Sequence, residues 1–131
     1  MSIVVEFDAK HNVLRGTVHG PMTGAALLDF YAAAMDYMAS HPPCRGILDF
    51  SHVTEFEVSP RAIRQVAAAP PAFPAGYMRV IVVPIEFIFG LARMFQILGE
   101  KTRPDLHVVR TLDEAYRLLQ IESPEFRPVD L

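Results

Sequence analysis

The chain has 131 residues, enough for one domain with a core of helices packed on a sheet. An apolar fraction of 51 % and a mean hydropathy of +0.23 exclude general disorder and leave an excess for a large core or an interface. A net charge of −3 and a pI near 5.9 argue against nucleic acid as a partner, which asks for a basic face.

Ile3, Val5 and Phe7 alternate with Val4, Glu6 and Asp8, the two-residue period of a strand with a buried face. Lys10, His11 and Asn12 make a turn, and residues 13–18 return as the second arm of a hairpin. Gly20-Pro21 is expected to break that strand. Thr23 then caps a helix in which Leu27, Leu28, Tyr31, Met35 and Met38 follow helical spacing up to His41-Pro42-Pro43. Residues 46–50 form a short apolar run of the kind found in central parallel strands. Ser59-Pro60 opens a second helix, the hydroxyl capping free amides and the proline sitting where no amide bond is lost. Ile63, Val66 and Ala67 give that helix its buried face.

Residues 70–76, PPAFPAG, form a stiff connector, followed by MRVIVV at 78–83, the plainest buried strand in the chain. The longest helix is expected from residue 84 to about residue 102, and a short strand at 106–109 follows. Thr111 and Glu114 make a capping box for a last helix with Ala115, Leu118 and Leu119 inward. The final ten residues, with Pro124 and Pro128, read as a tail. The order is β-β-α-β-α-β-α-β-α. Strands alternating with helices require parallel crossovers that cover both sheet faces. The expected fold is therefore α/β: one mixed sheet of five strands, an antiparallel hairpin plus parallel strands, with four helices over residues 1–121 and a tail at 122–131.

That order, together with ILDFSHVTEFEVSPRAI at 47–63, resembles the STAS domain, the fold of the SpoIIAA-like anti-sigma-factor antagonists. RVIVVPIEFIFGLARMFQILGE and HVVRTLDEAYRLL are similar to the bacterial STAS/Sec14-like group. The resemblance implies a regulatory or scaffolding interaction module, not an enzyme. Antagonists of this family carry an Asp-Ser-Ser-Gly turn whose first serine is phosphorylated. The match puts Glu57 at the aspartate, Val58 at the phosphorylated serine, Ser59 at the second serine and Pro60 at the glycine. Valine has no hydroxyl, so the standard switch is lost. A displaced switch at Ser59, with a phosphate held by a helix N-terminus, competes with a capping role for the same residue.

Other candidates carry less. Asp49, Ser51 and His52 suggest a relay, but strand alternation puts His52 on the face opposite the other two, and no Gly-x-Ser-x-Gly elbow is present. The five histidines lack metal-ligand spacing, and with the lone Cys44 they make no metal set. Gly16, Gly20 and Gly24 do not complete a phosphate loop. No catalytic residue, cofactor or metal site is expected.

The third helix is apolar beyond what one sheet needs, with Glu86, Gly90, Arg93 and Glu100 on a narrow strip. Phe87, Ile88, Phe89, Leu91, Arg93 and Ile97 are its candidate interaction surface. Phe87, Leu91, Met94, Phe95 and Leu98 are expected to point inward, with Phe89, Ile97 and Ile88 towards the flanks. Three occupants compete for it: a second copy of the chain as a homodimer, a regulatory protein, or an apolar ligand or lipid in the Sec14-like manner. The apolar run IEFIFGLARMFQIL carries Glu86, Arg93 and Gln96 and is too short to span a bilayer. With no signal-peptide pattern at the N-terminus and a lone cysteine, a soluble cytoplasmic protein is expected.

Overall fold

The computed structural model describes residues 2–130. Six strands and four helices follow one another as β1 (Ser2–Asp8), β2 (Val13–Thr23), α1 (Gly24–Ser40), β3 (Arg45–Glu57), α2 (Pro60–Ala68), β4 (Arg79–Val82), α3 (Glu86–Leu98), β5 (Leu106–Val109), α4 (Leu112–Leu119) and β6 (Arg127–Pro128). They form one mixed sheet in the order β5-β4-β3-β2-β1-β6. β2 through β5 pair in parallel, while β1 pairs antiparallel with both β2 and β6.

β4 lies between β3 and β5 with all four residues buried. Apart from Arg79 the strand is wholly apolar, which suits a strand covered on both faces. On one face Ile81, Val83, Phe50 and Leu106 pack under α2 and α3, with Ile63, Ile88 and Ala92 coming down from the helices. Val5 and Leu14 continue that side beneath Tyr37 and Met38 of α1. On the other face Val80, Val82, Ile47 and Val109 meet Ala115 and Leu119 of α4. Each large side chain hidden this way contributes roughly 1.5–3 kcal/mol.

The expectation of five strands is corrected to six, because part of the expected tail joins the sheet. Arg127 and Pro128 pair with Phe7 and Glu6. The buried carboxylate of Asp8 accepts from the Glu125 amide at 3.1 Å, and Phe126 stacks near Tyr116. Two strands also run further than expected. β2 passes through Gly20-Pro21 instead of ending there, with a register shift between those residues against β3. Gly20 has φ +87°, a conformation glycine adopts without strain, and the irregularity absorbs a proline that cannot donate to the ladder. β3 continues to Glu57, so Ser51 and His52 are strand residues. The third helix is shorter than expected at both ends, starting at Glu86 and stopping before Gly99.

Candidate functional site

Gly16 on β2 pairs with Leu48 and Gly46 on β3 pairs with Leu14, so the two glycines lie two positions apart on one face of neighbouring strands. Gly16 supplies no side chain to the space beneath the helices. The result is an apolar cavity of about 180 Å³ between the sheet and α1, α2 and α3. Leu48 and Ile81 form its floor, Leu27 and Phe30 of α1 and Ile63 of α2 its roof, and Leu91 and Phe95 of α3 its far wall. A Cβ placed on Gly16 would find only ordinary contacts, Leu48 Cδ1 at 3.6 Å and Phe30 at 3.7 Å. Gly46 differs: its missing side chain is replaced by the ring of Phe73, which reaches in from the 70–76 connector. That connector therefore lines the cavity through Ala72 and Phe73.

The cavity is large for so small a domain. Apolar cavities of about 150 Å³ stay dry and accept benzene.

Two buried arginines stand on its wall, and the sequence reading singled out neither. Arg103, 4 % exposed, donates to the carbonyls of Ala67, Val66 and Ala69 at 2.9, 3.1 and 3.0 Å. These carbonyls are at the C-terminal end of α2, where a cation offsets the negative end of the helix dipole. Arg79 is 8 % exposed and is the register partner of Gly46. Its Nε has no hydrogen-bond partner, and its guanidinium lies 5.7 Å from the centre of the Phe73 ring. Burial pulls the Arg79 guanidinium below its ordinary value; the charge of Arg103 adds to this and Asp105 opposes it. The signal for Arg79 was in the sequence. In MRVIVV the arginine shares the parity of Ile81 and Val83, so a charge was assigned to the inward face of a buried strand.

The turn compared with the phosphorylated one is described by three neighbouring residues. Val58 is buried in the core, Glu57 ends β3, and Ser59 caps α2 with its hydroxyl accepting from the Ala62 amide at 3.1 Å. Asp49 is buried on the α4 side and accepts from the Ser51 hydroxyl and amide at 2.5 and 2.9 Å. The expected alternation around it is broken. A register shift pairs Thr17 with Asp49 and His19 with His52, and His52 stacks on His19 with ring centres 4.9 Å apart. Cys44 is buried, which pushes its thiol up and away from nucleophilic use.

The orientation of α3 also departs from expectation. Ile88, counted with the interaction surface, is a core residue at 4 % exposure. Phe87 and Leu98, expected inward, are 69 % and 50 % exposed, beside Ile97 at 61 %. Leu91 and Phe95 face the cavity, and Phe89 is half-buried with the Arg110 guanidinium 3.9 Å from its ring centre. Exposed Arg93 donates to Gln96 within its own helix, while Glu86 is engaged by Arg110 of the same chain. Among the described residues no helix is long and apolar enough to cross a membrane, and no group of three or more potential ligand side chains is arranged to hold a metal ion. Comparison with protein-family models, curated proteins and solved structures finds no match.

Proposed function

We propose that this chain is a non-enzymatic binding module of STAS-like architecture whose cavity takes up a small apolar molecule or the tail of a lipid. The observation that carries the reading is the apolar cavity of about 180 Å³, into which Gly16 sends no side chain and beside which Phe73 fills the place of a Gly46 side chain. Its lining of Leu, Ile and Phe suits an occupant recognised by shape and dryness. The STAS-like part of the reading is supported by the helix–strand order and by the hairpin that opens a mixed sheet. With Val58 where that family phosphorylates a serine and Ser59 engaged as a cap, the module is read as working without the standard switch.

The test is a titration with 1-octanol followed by methyl NMR. Saturable shifts at Leu48, Ile81, Leu91 and Leu106, abolished in Gly16→Leu, are expected. Shifts that are absent or spread evenly over the surface remove the reading.

A second reading concerns the exterior of α3 and has its own support. Phe87, Ile97 and Leu98 expose large apolar side chains on one short helix. We read this strip as the contact of a homodimer, in which each hidden side chain contributes roughly 1.5–3 kcal/mol against the cost of association. Analytical ultracentrifugation over a wide concentration range is expected to show a dimer that Phe87→Glu and Ile97→Glu dissociate. A monomer throughout, unchanged by both substitutions, leaves a different regulatory protein as the occupant of that strip.

A further inference from the structure

We propose that the occupant of the cavity is a small carboxylic acid, with its apolar tail against Leu48, Ile81 and Leu91 and its carboxylate on Arg79. The inference rests on the cavity being a ligand site and adds the chemistry of the ligand's head group.

Arg79 is the reason. It lines the cavity at 8 % exposure, its Nε is unpartnered, and among the described residues it belongs to none of the ion pairs. Arginine remains charged in proteins, and a buried charge is strongly disfavoured unless it is paired. Arg15 also has an unpartnered Nε, but it, Arg45 and Arg103 all donate hydrogen bonds through their Nη atoms, and among the described residues the Arg79 guanidinium donates none. Arg15 donates to Glu6 at 2.9 Å and to the Tyr116 hydroxyl at 2.6 Å. Arg103 has its three helix carbonyls. Arg79 has the Phe73 ring at 5.7 Å, near the limit of a useful cation–π contact. Asp105 acts on it through charge but makes no ion pair with it, and its Oδ2 accepts from the Gly76 amide at 2.8 Å. Burial and the Arg103 charge together lower the Arg79 guanidinium. With the charged Arg79 and Arg103 both lining it, that wall of an otherwise apolar space is positive.

The geometry narrows the anion. Both Nη atoms of Arg103 already donate to the end of α2, so one guanidinium fork remains for the ligand. A single fork matches a planar monoanion such as carboxylate, whereas a phosphate dianion asks for further cations. Volume narrows the tail. A void of 180 Å³ accommodates roughly seven carbons if about 150 Å³ accommodates benzene, which makes octanoate the appropriate probe.

The experiment is calorimetric titration of the full chain at neutral pH with octanoate, 1-octanol and octylammonium, which share a tail and differ in charge. Octanoate is expected to bind roughly ten- to hundredfold more tightly than octanol, the range of a hydrogen bond to a charged group, with octylammonium weakest. Arg79→Gln should remove that advantage and leave octanol affinity unchanged. The ordering of the three probes on the unaltered chain decides the matter even if Arg79→Gln does not fold. Equal binding of octanoate and octanol overturns the carboxylate assignment while the cavity reading stands. Failure of both to bind overturns both.

Discussion

The ring of Phe73 occupies the place of a side chain that Gly46 does not have. A Cβ built on Gly46 would lie 2.6 Å from Phe73 Cζ and 2.8 Å from Cε1, closer than such atoms approach. The connector and a central strand are thereby interlocked beside Arg79, which is the register partner of Gly46.

The interlock predicts a specific non-additivity. Gly46→Ala should cost about 1–3 kcal/mol by overpacking, because the ring must leave its seat. Phe73→Ala removes the obstacle and should cost stability through its own lost burial. The double substitution should then be less destabilising than the sum of the two singles. Urea unfolding of the four proteins measures the coupling, and strict additivity would show that the contact does not constrain the strand.

Gly16 makes the opposite prediction. Its added methyl group would enter the cavity at ordinary contact distance. Gly16→Ala should stabilise the fold by about 1 kcal/mol, combining a smaller loss of backbone freedom with one buried methyl group. The unfolding midpoint should rise, and the same substitution should weaken binding of 1-octanol.

Asp8 predicts an acid-sensitive seam between the first hairpin and the C-terminal segment. Burial pushes its carboxyl up, but the Glu125 amide and the side chain and amide of His11 outweigh that, leaving it below its ordinary value of 3.8. A group depressed on folding contributes stability that is present above its unfolded value and lost as pH falls through its folded value. Stability should therefore drop on acidification below about pH 3.8, and Asp8→Asn should flatten that part of the profile. Unfolding midpoints measured from about pH 5 down to about pH 2 test the sign.

Ser59 predicts a stability effect from a residue compared above with a switch position. Ser59→Ala should cost about 0.5–2 kcal/mol, because the Ala62 amide loses its acceptor, while Ser59→Asp retains the cap and folds normally. Thermal unfolding measures both. If Ser59→Asp leaves stability intact but abolishes binding of a partner, the residue is a switch as well as a cap.

Elements specified by adjacent residues were legible in the sequence. Ser59-Pro60 announced a cap and a first turn, and MRVIVV announced an interior strand, because hydroxyl capping and apolar runs are local requirements. Thr111 similarly announced α4, accepting from the Glu114 amide at 3.2 Å. Tertiary structure decided the rest. β6 has two residues and no pattern of its own; it is a strand only because β1 offers an unpaired edge. An almost wholly apolar α3 does not define its own rotation, so docking on α2 and β5 turned Ile88 inward and Phe87 outward. The cavity is lined by residues distant in sequence: Gly16 beside Leu48 on β2 and β3, Gly46 beside Arg79 on β3 and β4, and Phe73 from the connector. Periodicity reports which residues share a face within one segment. Only the packing of several segments decides whether the space between those faces is filled or left for a ligand.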